Sequence, residues 1–248
     1  MLYRVEAIVI RSTDYGEGNK IVTLFSREAG KVSVMVRGAK KMNSRYAAVV
    51  QPFTCGQFVF FKNGQMGTLN NAEIIQSYHM LREDLLMAAC CSYLAELTDR
   101  LIGEQENEPY WYEQLKAAFQ AMTEGKDADI IVHIYEMKML AIAGYTPQLD
   151  QCVSCGETAG EMAFSFGLGG ILCKSCRRSD PQTVPLSGAV LKLLRLFSRM
   201  DIRRLGQTDV KPETKQQLKT LLRGYMDNHL GLRLKSRNFL EQMEKYGL

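Results

Sequence analysis

The chain has 248 residues, 46% of them hydrophobic and 23% charged, with 20 Gly and 6 Pro. That composition fits a globular protein of one large domain or two to three small ones, and it excludes a disordered, collagenous or membrane-spanning chain. The longest uncharged apolar run, Leu85 to Cys91, is far too short for a bilayer span. Met1-Leu2-Tyr3-Arg4-Val5-Glu6 places an acid where an export signal needs a basic start and an apolar core, so no signal is expected. The seven cysteines form two Cys-x-x-Cys pairs and three strays. In a cytosolic chain this favours metal-binding thiolates over a disulfide framework.

The net charge of +4 is unevenly spread. Residues 1–80 hold ten Lys/Arg against five Asp/Glu, residues 81–176 six against fifteen, and residues 177–248 fifteen against seven. A basic front, an acidic middle and a basic tail suggest segments with separate partners.

In chain order, Tyr3, Val5, Ala7 and Val9 alternate with Arg4, Glu6, Ile8 and Ile10, the period of a strand with one buried face. Lys20–Ser26 follows the Gly16-Glu17-Gly18 turn, and Lys31–Arg37 follows Glu28-Ala29-Gly30. After a gap of some fifteen residues comes Phe53–Lys62, then the hairpin signal Asn63-Gly64, then Gly67–Ser77. Five strands with a longer insert before the fourth suit a small closed barrel of the OB type. An SH3-like barrel or an open meander gives the same pattern.

Beyond Ser77 the apolar period becomes helical. One helix is predicted over His79–Ile102, ended by Gly103, followed by the acidic, solvated loop Glu104–Glu108. Pro109 opens a helix to about Thr123, and Asp127–Ala143 forms another, with Gly144 as its cap. Ser187 starts a helix through Met200, Pro212 one to about Leu230, and Ser236 one to Tyr246. The expected organisation is α+β: a five-stranded OB-type barrel over 1–78, an α-helical domain over 79–149 and 179–248, and a four-cysteine zinc ribbon inserted at 150–178.

Cys152, Cys155, Cys173 and Cys176 carry that last expectation. Seventeen residues separate the two pairs, inside the window of a four-cysteine zinc site. Two residues between thiolates make a tight knuckle, Gly156 relieves the crowding after the first pair, and Phe164–Phe166 with Gly170–Leu172 form the connecting hairpin. A closed four-thiolate site leaves no position for substrate, so the expected role is one structural Zn²⁺ per chain. Cys55, Cys90 and Cys91 have no partner spacing and are expected as small buried hydrophobes.

The segment Arg37-Gly38-Ala39-Lys40-Lys41-Met42-Asn43-Ser44-Arg45-Tyr46 holds four cations and no acid. Arg37, Lys40, Lys41 and Arg45 can track phosphates without reading sequence, and Tyr46 is the candidate for stacking a base. Lys20 and Lys31 extend the candidate patch, and Tyr15 and Phe61 are further stacking candidates. Arg195, Arg199, Arg203 and Arg204, placed near one helical face, are candidate phosphate or acidic-peptide contacts. There is no GxxxxGK[ST], HExxH or GxSxG motif. His79, His133 and His229 lie far apart on predicted helices, where packing is their expected role. No acid/base pair or activated nucleophile assembles, so an enzyme is not expected.

In order along its full length, the chain resembles the bacterial RecO family of recombination mediators. The segments that carry the likeness are Ala7-Ile8-Val9-Ile10, Gly30-Lys31 through Val36-Arg37-Gly38-Ala39-Lys40-Lys41, Gln51-Pro52-Phe53, the helical body, and a Cys-x-x-Cys pair on each side of a short hairpin. The resemblance implies a DNA-repair protein of the RecF pathway that binds single- and double-stranded DNA and anneals complementary strands. It also implies partnership with RecR, contact with the C-terminal tail of single-strand-binding protein, and indirect action on RecA. A cytoplasmic, nucleoid-associated location follows, with no membrane partner. By the same route the barrel and its basic loop are the implied DNA contacts and the four cysteines the zinc ligands. A barrel-plus-ribbon RNA-binding factor is the alternative, and a zinc enzyme with an unrecognised site a third reading.

Overall fold

The computed structural model describes residues 1–104 and 106–246. It divides into two compact units: Met1–Gly125 with the chain from Leu234 onward, and Lys126–Arg233.

The first unit is built on β1 (Leu2–Tyr15), β2 (Asn19–Ser26), β3 (Gly30–Val36), β4 (Cys55–Lys62) and β5 (Met66–Gln76). They close into a barrel in the order β1-β2-β3-β5-β4. Every pairing is antiparallel except β3 with β5, which run parallel over Ser33–Met35 against Met66–Thr68. This is the OB arrangement. The long β1 serves two neighbours, pairing β4 through Leu2–Ile8 and β2 through Ala7–Tyr15, with a register shift between Val9 and Arg11. Such an irregularity bends a strand and raises its twist, which lets one strand close a barrel.

The strand expected to bury a single face buries two. Val5, Ala7 and Val9 point into the barrel, and Ile8 and Ile10 are also buried. Helices cover the outside: α2 (Leu85–Leu101) packs on β1 and α3 (Pro109–Thr123) on β2, where Tyr112 tilts against Phe25 at 6.2 Å. On this covered face Lys116 pairs with Glu6, and the Tyr112 hydroxyl donates to the same Glu6 oxygen at 2.9 Å. Partial burial raises the Glu6 carboxyl, but the hydrogen bonds from Lys116 and Tyr112 outweigh it and hold the group below its ordinary value.

Other departures from the sequence reading have identifiable causes. The single helix expected over 79–102 is two, α1 (Met80–Glu83) and α2, because Asp84 adopts an extended conformation and its carboxylate accepts the Met87 N–H at 2.9 Å. An N-cap of this kind starts a helix even inside a continuous apolar period. The acidic loop is exposed but not detached, and its Gln105 lies outside the described residues. Asn107 donates to the Glu28 carbonyl, the Glu104 backbone forms an isolated parallel β-bridge with that of Lys31, and a Cβ at Gly30 would stand 2.5 Å from the Glu106 carbonyl oxygen. The loop therefore sits on the β2–β3 turn, where glycine is required by close approach as well as by its φ of +63°. The last helix, α7 (Lys235–Tyr246), returns to α2: Glu96 accepts from the backbone N–H of Lys235 and Ser236 and from the Ser236 hydroxyl.

The second unit holds α4 (Ala128–Ile142), a small sheet of β6 (Met162–Ser165), β7 (Gly170–Cys173) and β8 (Val184–Pro185), then α5 (Gly188–Arg199) and α6 (Pro212–Leu230). Asp127 caps α4 by accepting from Asp129 and Ile130 N–H, and Lys215 of α6 pairs with the same carboxylate. Ile130, Ile134 and Leu140 of α4 are fully buried, and α5 and α6 both pack on this helix. The sheet order is β7-β6-β8. Packing thus groups α1–α3 and α7 with the barrel and α4–α6 with the ribbon, boundaries that differ from the segments expected along the sequence. Among the described residues no helix is long and apolar enough to cross a membrane.

Candidate nucleic-acid interface and metal site

The insert between β3 and β4 is a chain of turns. Lys41 N–H bonds the Gly38 carbonyl, Ser44 N–H that of Lys41, and Ala47 N–H that of Ser44. Its apolar side chains Ala39, Tyr46, Val49 and Val50 enter the barrel core. With those residues anchored, Arg37, Lys40, Lys41 and Arg45 are all left exposed, and Met42 stands 97% exposed between them.

The β1–β2 hairpin holds the other side of this loop. Lys40 N–H donates to the Gly18 carbonyl at 3.1 Å, and Gly38 N–H to the Asn19 side-chain oxygen at 2.9 Å. The hairpin register sets Lys20 across from Asp14, whose carboxylate accepts from Lys20 Nζ at 2.8 Å and Lys40 Nζ at 3.0 Å. Those two hydrogen bonds keep Asp14 below its ordinary pKa. Arg37 and Lys41 have no acidic partner among the described residues. The Arg45 guanidinium lies 4.6 Å from the centre of the Tyr46 ring and reaches the Asn70 carbonyl.

Two expected contacts need correction. Tyr46 is only 8% exposed, and its hydroxyl donates to the Asn70 carbonyl, so its ring packs the barrel core instead of offering a face to a base. The signal is its spacing to Val49 and Val50, three and four residues on, which marks an inward face. Lys31 sits at the far end of β3 from the basic loop, its side chain 13% exposed, bonded to the Asp99 carbonyl and 3.5 Å from the Asp99 carboxylate. Arg11 reaches the same carboxylate at 3.3 Å. These cations fasten α2 to the barrel. Lys20 belongs to the loop cluster through Asp14. Of the other aromatic candidates, Tyr15 is 52% exposed beside that cluster, and Phe61, 53% exposed, pairs across strands with Leu2.

The basic tail is also engaged within the protein. The four arginines do not share a helical face, because α5 ends at Arg199 and Arg203 and Arg204 lie on a separate 3-10 turn, Ile202–Arg204. Arg195 donates to the Leu149 and Asp150 carbonyls, and Arg199 to both oxygens of the Asp150 side chain at 3.1 and 2.9 Å. Arg203 makes a bidentate pair with Asp201, which caps that turn, and Arg204 is exposed. Arg195 and Arg199 thus clasp the chain just before the first cysteine.

The cysteine pairs converge as their spacing predicts. The Sγ atoms of Cys152, Cys155, Cys173 and Cys176 all lie within 4.8 Å of one another. Each pair is a tight turn: Gly156 N–H bonds the Cys152 carbonyl at 2.9 Å, and Cys176 N–H that of Cys173 at 3.0 Å. The β6–β7 hairpin brings the second turn to the first, and Val153 N–H joins Ile171. At Gly170 a Cβ would collide with the Gln148 carbonyl at 2.5 Å, so glycine permits this crossing. The Cys155–Cys173 sulfur separation is 3.7 Å. A tetrahedron with bonds of about 2.3 Å has an edge of about 3.8 Å, so four thiolates here fit one metal ion. Burial raises the Cys152 thiol, but backbone N–H groups of Cys173, Cys155 and Ser154 outweigh it and bring it down to about 6, whereas the Cys155 and Cys176 thiols are held above their ordinary value. The three stray cysteines are buried, as expected.

The histidines are occupied by structural contacts. His79 lies 3.2 Å from the Ser77 hydroxyl, His133 bonds Glu136 at 2.8 Å inside the second unit, and His229 meets the Phe166 carbonyl at 2.7 Å.

An OB-topology barrel with a cationic loop clamped on its first hairpin, joined to a helical body carrying a four-cysteine ribbon, defines a class of two-part barrel-and-ribbon proteins. Comparison with known proteins places the chain within that class. Residues 1–78 match the family model "Recombination protein O N terminal" and residues 82–238 match "Recombination protein O C terminal". A DNA repair protein RecO from Bacillus pumilus is 49% identical over 244 residues, 98% of this chain and 95% of that protein. One from Halalkalibacterium halodurans is 48% identical over 247 residues, 100% of this chain and 97% of that protein, and one from Bacillus cytotoxicus is 46% identical over 246 residues, 99% of each. The chain belongs to the RecO family.

Proposed function

We propose that this chain is a non-catalytic DNA repair protein that binds single- and double-stranded DNA and anneals complementary strands. With RecR, and through the tail of single-strand-binding protein, it helps RecA load onto coated DNA in the cytoplasm and at the nucleoid. Its relatives bear the name of a DNA repair protein over nearly their whole length. The observation that carries the reading is the cationic loop, in which Arg37, Lys40, Lys41 and Arg45 are exposed on one stretch of turns anchored in the barrel by Ala39, Tyr46, Val49 and Val50. Cations preset in this way neutralise phosphates by charge, which supports binding of any sequence. Tyr15, exposed beside them, replaces Tyr46 as the aromatic proposed to stack a base.

The ribbon takes one structural Zn²⁺ per chain. Four sulfur ligands are soft, and their spacing suits a tetrahedral ion. The metal supplies cross-linking of the two knuckles and no chemistry beyond that.

The test is annealing of complementary oligonucleotides already coated with single-strand-binding protein, without ATP. Faster annealing than in the protein's absence is expected, together with preference for single-stranded DNA over RNA of the same sequence. Failure to anneal, or strong preference for RNA, contradicts the reading.

A further inference from the structure

Among the described residues, Asp14 is the one acid that pairs with cations of the basic loop cluster. Its carboxylate holds two of the cations assigned to phosphate, Lys20 at 2.8 Å and Lys40 at 3.0 Å. The arrangement is built in at three levels. The hairpin register places Lys20 across from Asp14. The Lys40 backbone is pinned to Gly18 and that of Gly38 to Asn19, so the loop cannot carry Lys40 away from the carboxylate without breaking those bonds. The Asp14 side chain is 56% exposed, against 23% for Lys20 and 32% for Lys40, so the anion is at least as open to solvent as the cations it holds. Glu17, on the turn between the two strands, is the other acid of this hairpin, and it makes no ion pair among the described residues.

We propose that Asp14 is an internal competitor of the DNA backbone: it occupies Lys20 and Lys40 in the free protein as a phosphate would, and a bound strand displaces it. The inference rests on the assignment of the basic loop to DNA. Its consequence is a site that holds each strand loosely. Arg37 and Lys41 are open to phosphate at all times, whereas Lys20 and Lys40 join only by exchanging one anion for another. Such exchange favours release, which a protein that brings two strands together and then leaves the duplex requires.

The competitor and a mere scaffold differ in sign. If Asp14 only orders the loop, removing its charge weakens binding; if it competes, removal strengthens it. The experiment measures affinity of the full-length protein for a fluorescent thymidine oligonucleotide across a salt series, for wild type, Asp14→Asn, Lys20→Ala/Lys40→Ala, and the three substitutions together. Freeing two surface ion pairs is expected to tighten binding about three- to tenfold at low salt, with a steeper salt slope and slower dissociation. In the Lys20→Ala/Lys40→Ala background, Asp14→Asn is expected to gain nothing comparable. Unchanged or weaker binding by Asp14→Asn overturns the proposal, as does an equal gain without the two lysines, which would mark a general charge effect. A loop unrelated to DNA gives a different result: Lys40→Ala/Lys41→Ala/Arg45→Ala would bind as wild type. Asn at an exposed carboxylate leaves the fold intact, and an unchanged melting curve checks this.

Discussion

The two basic regions of the chain look alike in sequence and differ in what their charge is doing. In the barrel loop the cations stand on turns anchored by buried Ala39, Tyr46, Val49 and Val50, and Arg37 and Lys41 face no acid among the described residues. In the tail, Arg195 and Arg199 are spent on Leu149 and Asp150, and Arg203 on Asp201. A count of +8 over the tail therefore overstates the charge it offers to a partner, while the smaller excess over the first 80 residues is concentrated where it can be used. Charge density in a sequence becomes a binding surface only after internal pairing is subtracted.

The largest expected effect lies in the second unit. Cys173→Ser removes one of four ligands, and structural zinc contributes roughly 10–16 kcal/mol of apparent binding free energy in small sites. The variant should lose stoichiometric metal, and proteolysis should enter between residues 150 and 178. If the barrel loop alone carries DNA, purified protein that remains folded should bind oligonucleotide nearly as before. A parallel loss of binding would show that the ribbon contributes, and the contrast between the regions would fail.

Next comes the pair of tyrosines. Tyr46→Ala opens the barrel core and should cost about 3–5 kcal/mol, read as a large drop in melting temperature. Tyr15→Ala should leave melting unchanged and weaken single-strand binding by about 1–3 kcal/mol, the usual value of one stacked base. The reverse pattern would return Tyr46 to the interface.

Smaller still are the acid-dependent contacts that hold the first unit's helices. Glu6 and Glu96 both have carboxyls held below their ordinary values: burial raises each, and hydrogen bonds from Lys116 and Tyr112, or from Lys235 and Ser236, outweigh it. A carboxylate depressed in the folded state contributes stability above its unfolded pKa, and that stability is lost as pH falls through the lowered folded value. Thermal stability of the first unit should therefore decline below about pH 4. Glu96→Ala, which uncaps α7, should lower the melting temperature by about 2–4 °C at neutral pH, from about 1 kcal/mol for a lost cap. A Glu96→Ala variant that melts as wild type would remove this role.

Much of the molecule is legible along the chain, and what is not depends either on partners distant in sequence or on local signals such as the Asp84 cap and the Tyr46 spacing. The four-cysteine cluster is readable because its geometry is local: Cys-x-x-Cys turns and a hairpin need no distant information. The strand set, α3–α6 and the Ser187 cap are readable for the same reason. Barrel topology stays open until β3 meets β5 in parallel. Several misreadings concern partners far away in sequence. Lys31 reads as a surface cation because Asp99, its partner, lies on a helix 68 residues later. Arg195 and Arg199 depend on the Leu149 and Asp150 carbonyls and the Asp150 carboxylate, some 45 residues earlier. Ile8 and Ile10 carry a usable hint, since apolar residues on both faces of β1 announce a covered barrel. Asp84 does as well, as an N-cap residue inside a helical period.

The most direct test of the account sets the two basic regions against each other in one titration. Binding of the full-length protein to a fluorescent single-stranded oligonucleotide is followed from low to moderate salt for wild type, Lys40→Ala/Lys41→Ala/Arg45→Ala, and Arg195→Ala/Arg199→Ala. The loop variant should lose about tenfold or more in affinity, and its salt slope should fall by about 2, the value for three phosphate contacts on a single strand. The tail variant should keep both affinity and slope while its ribbon becomes more open to proteolysis. A loop variant that binds as wild type, or a tail variant that loses the slope instead, would contradict the assignment of DNA to the barrel.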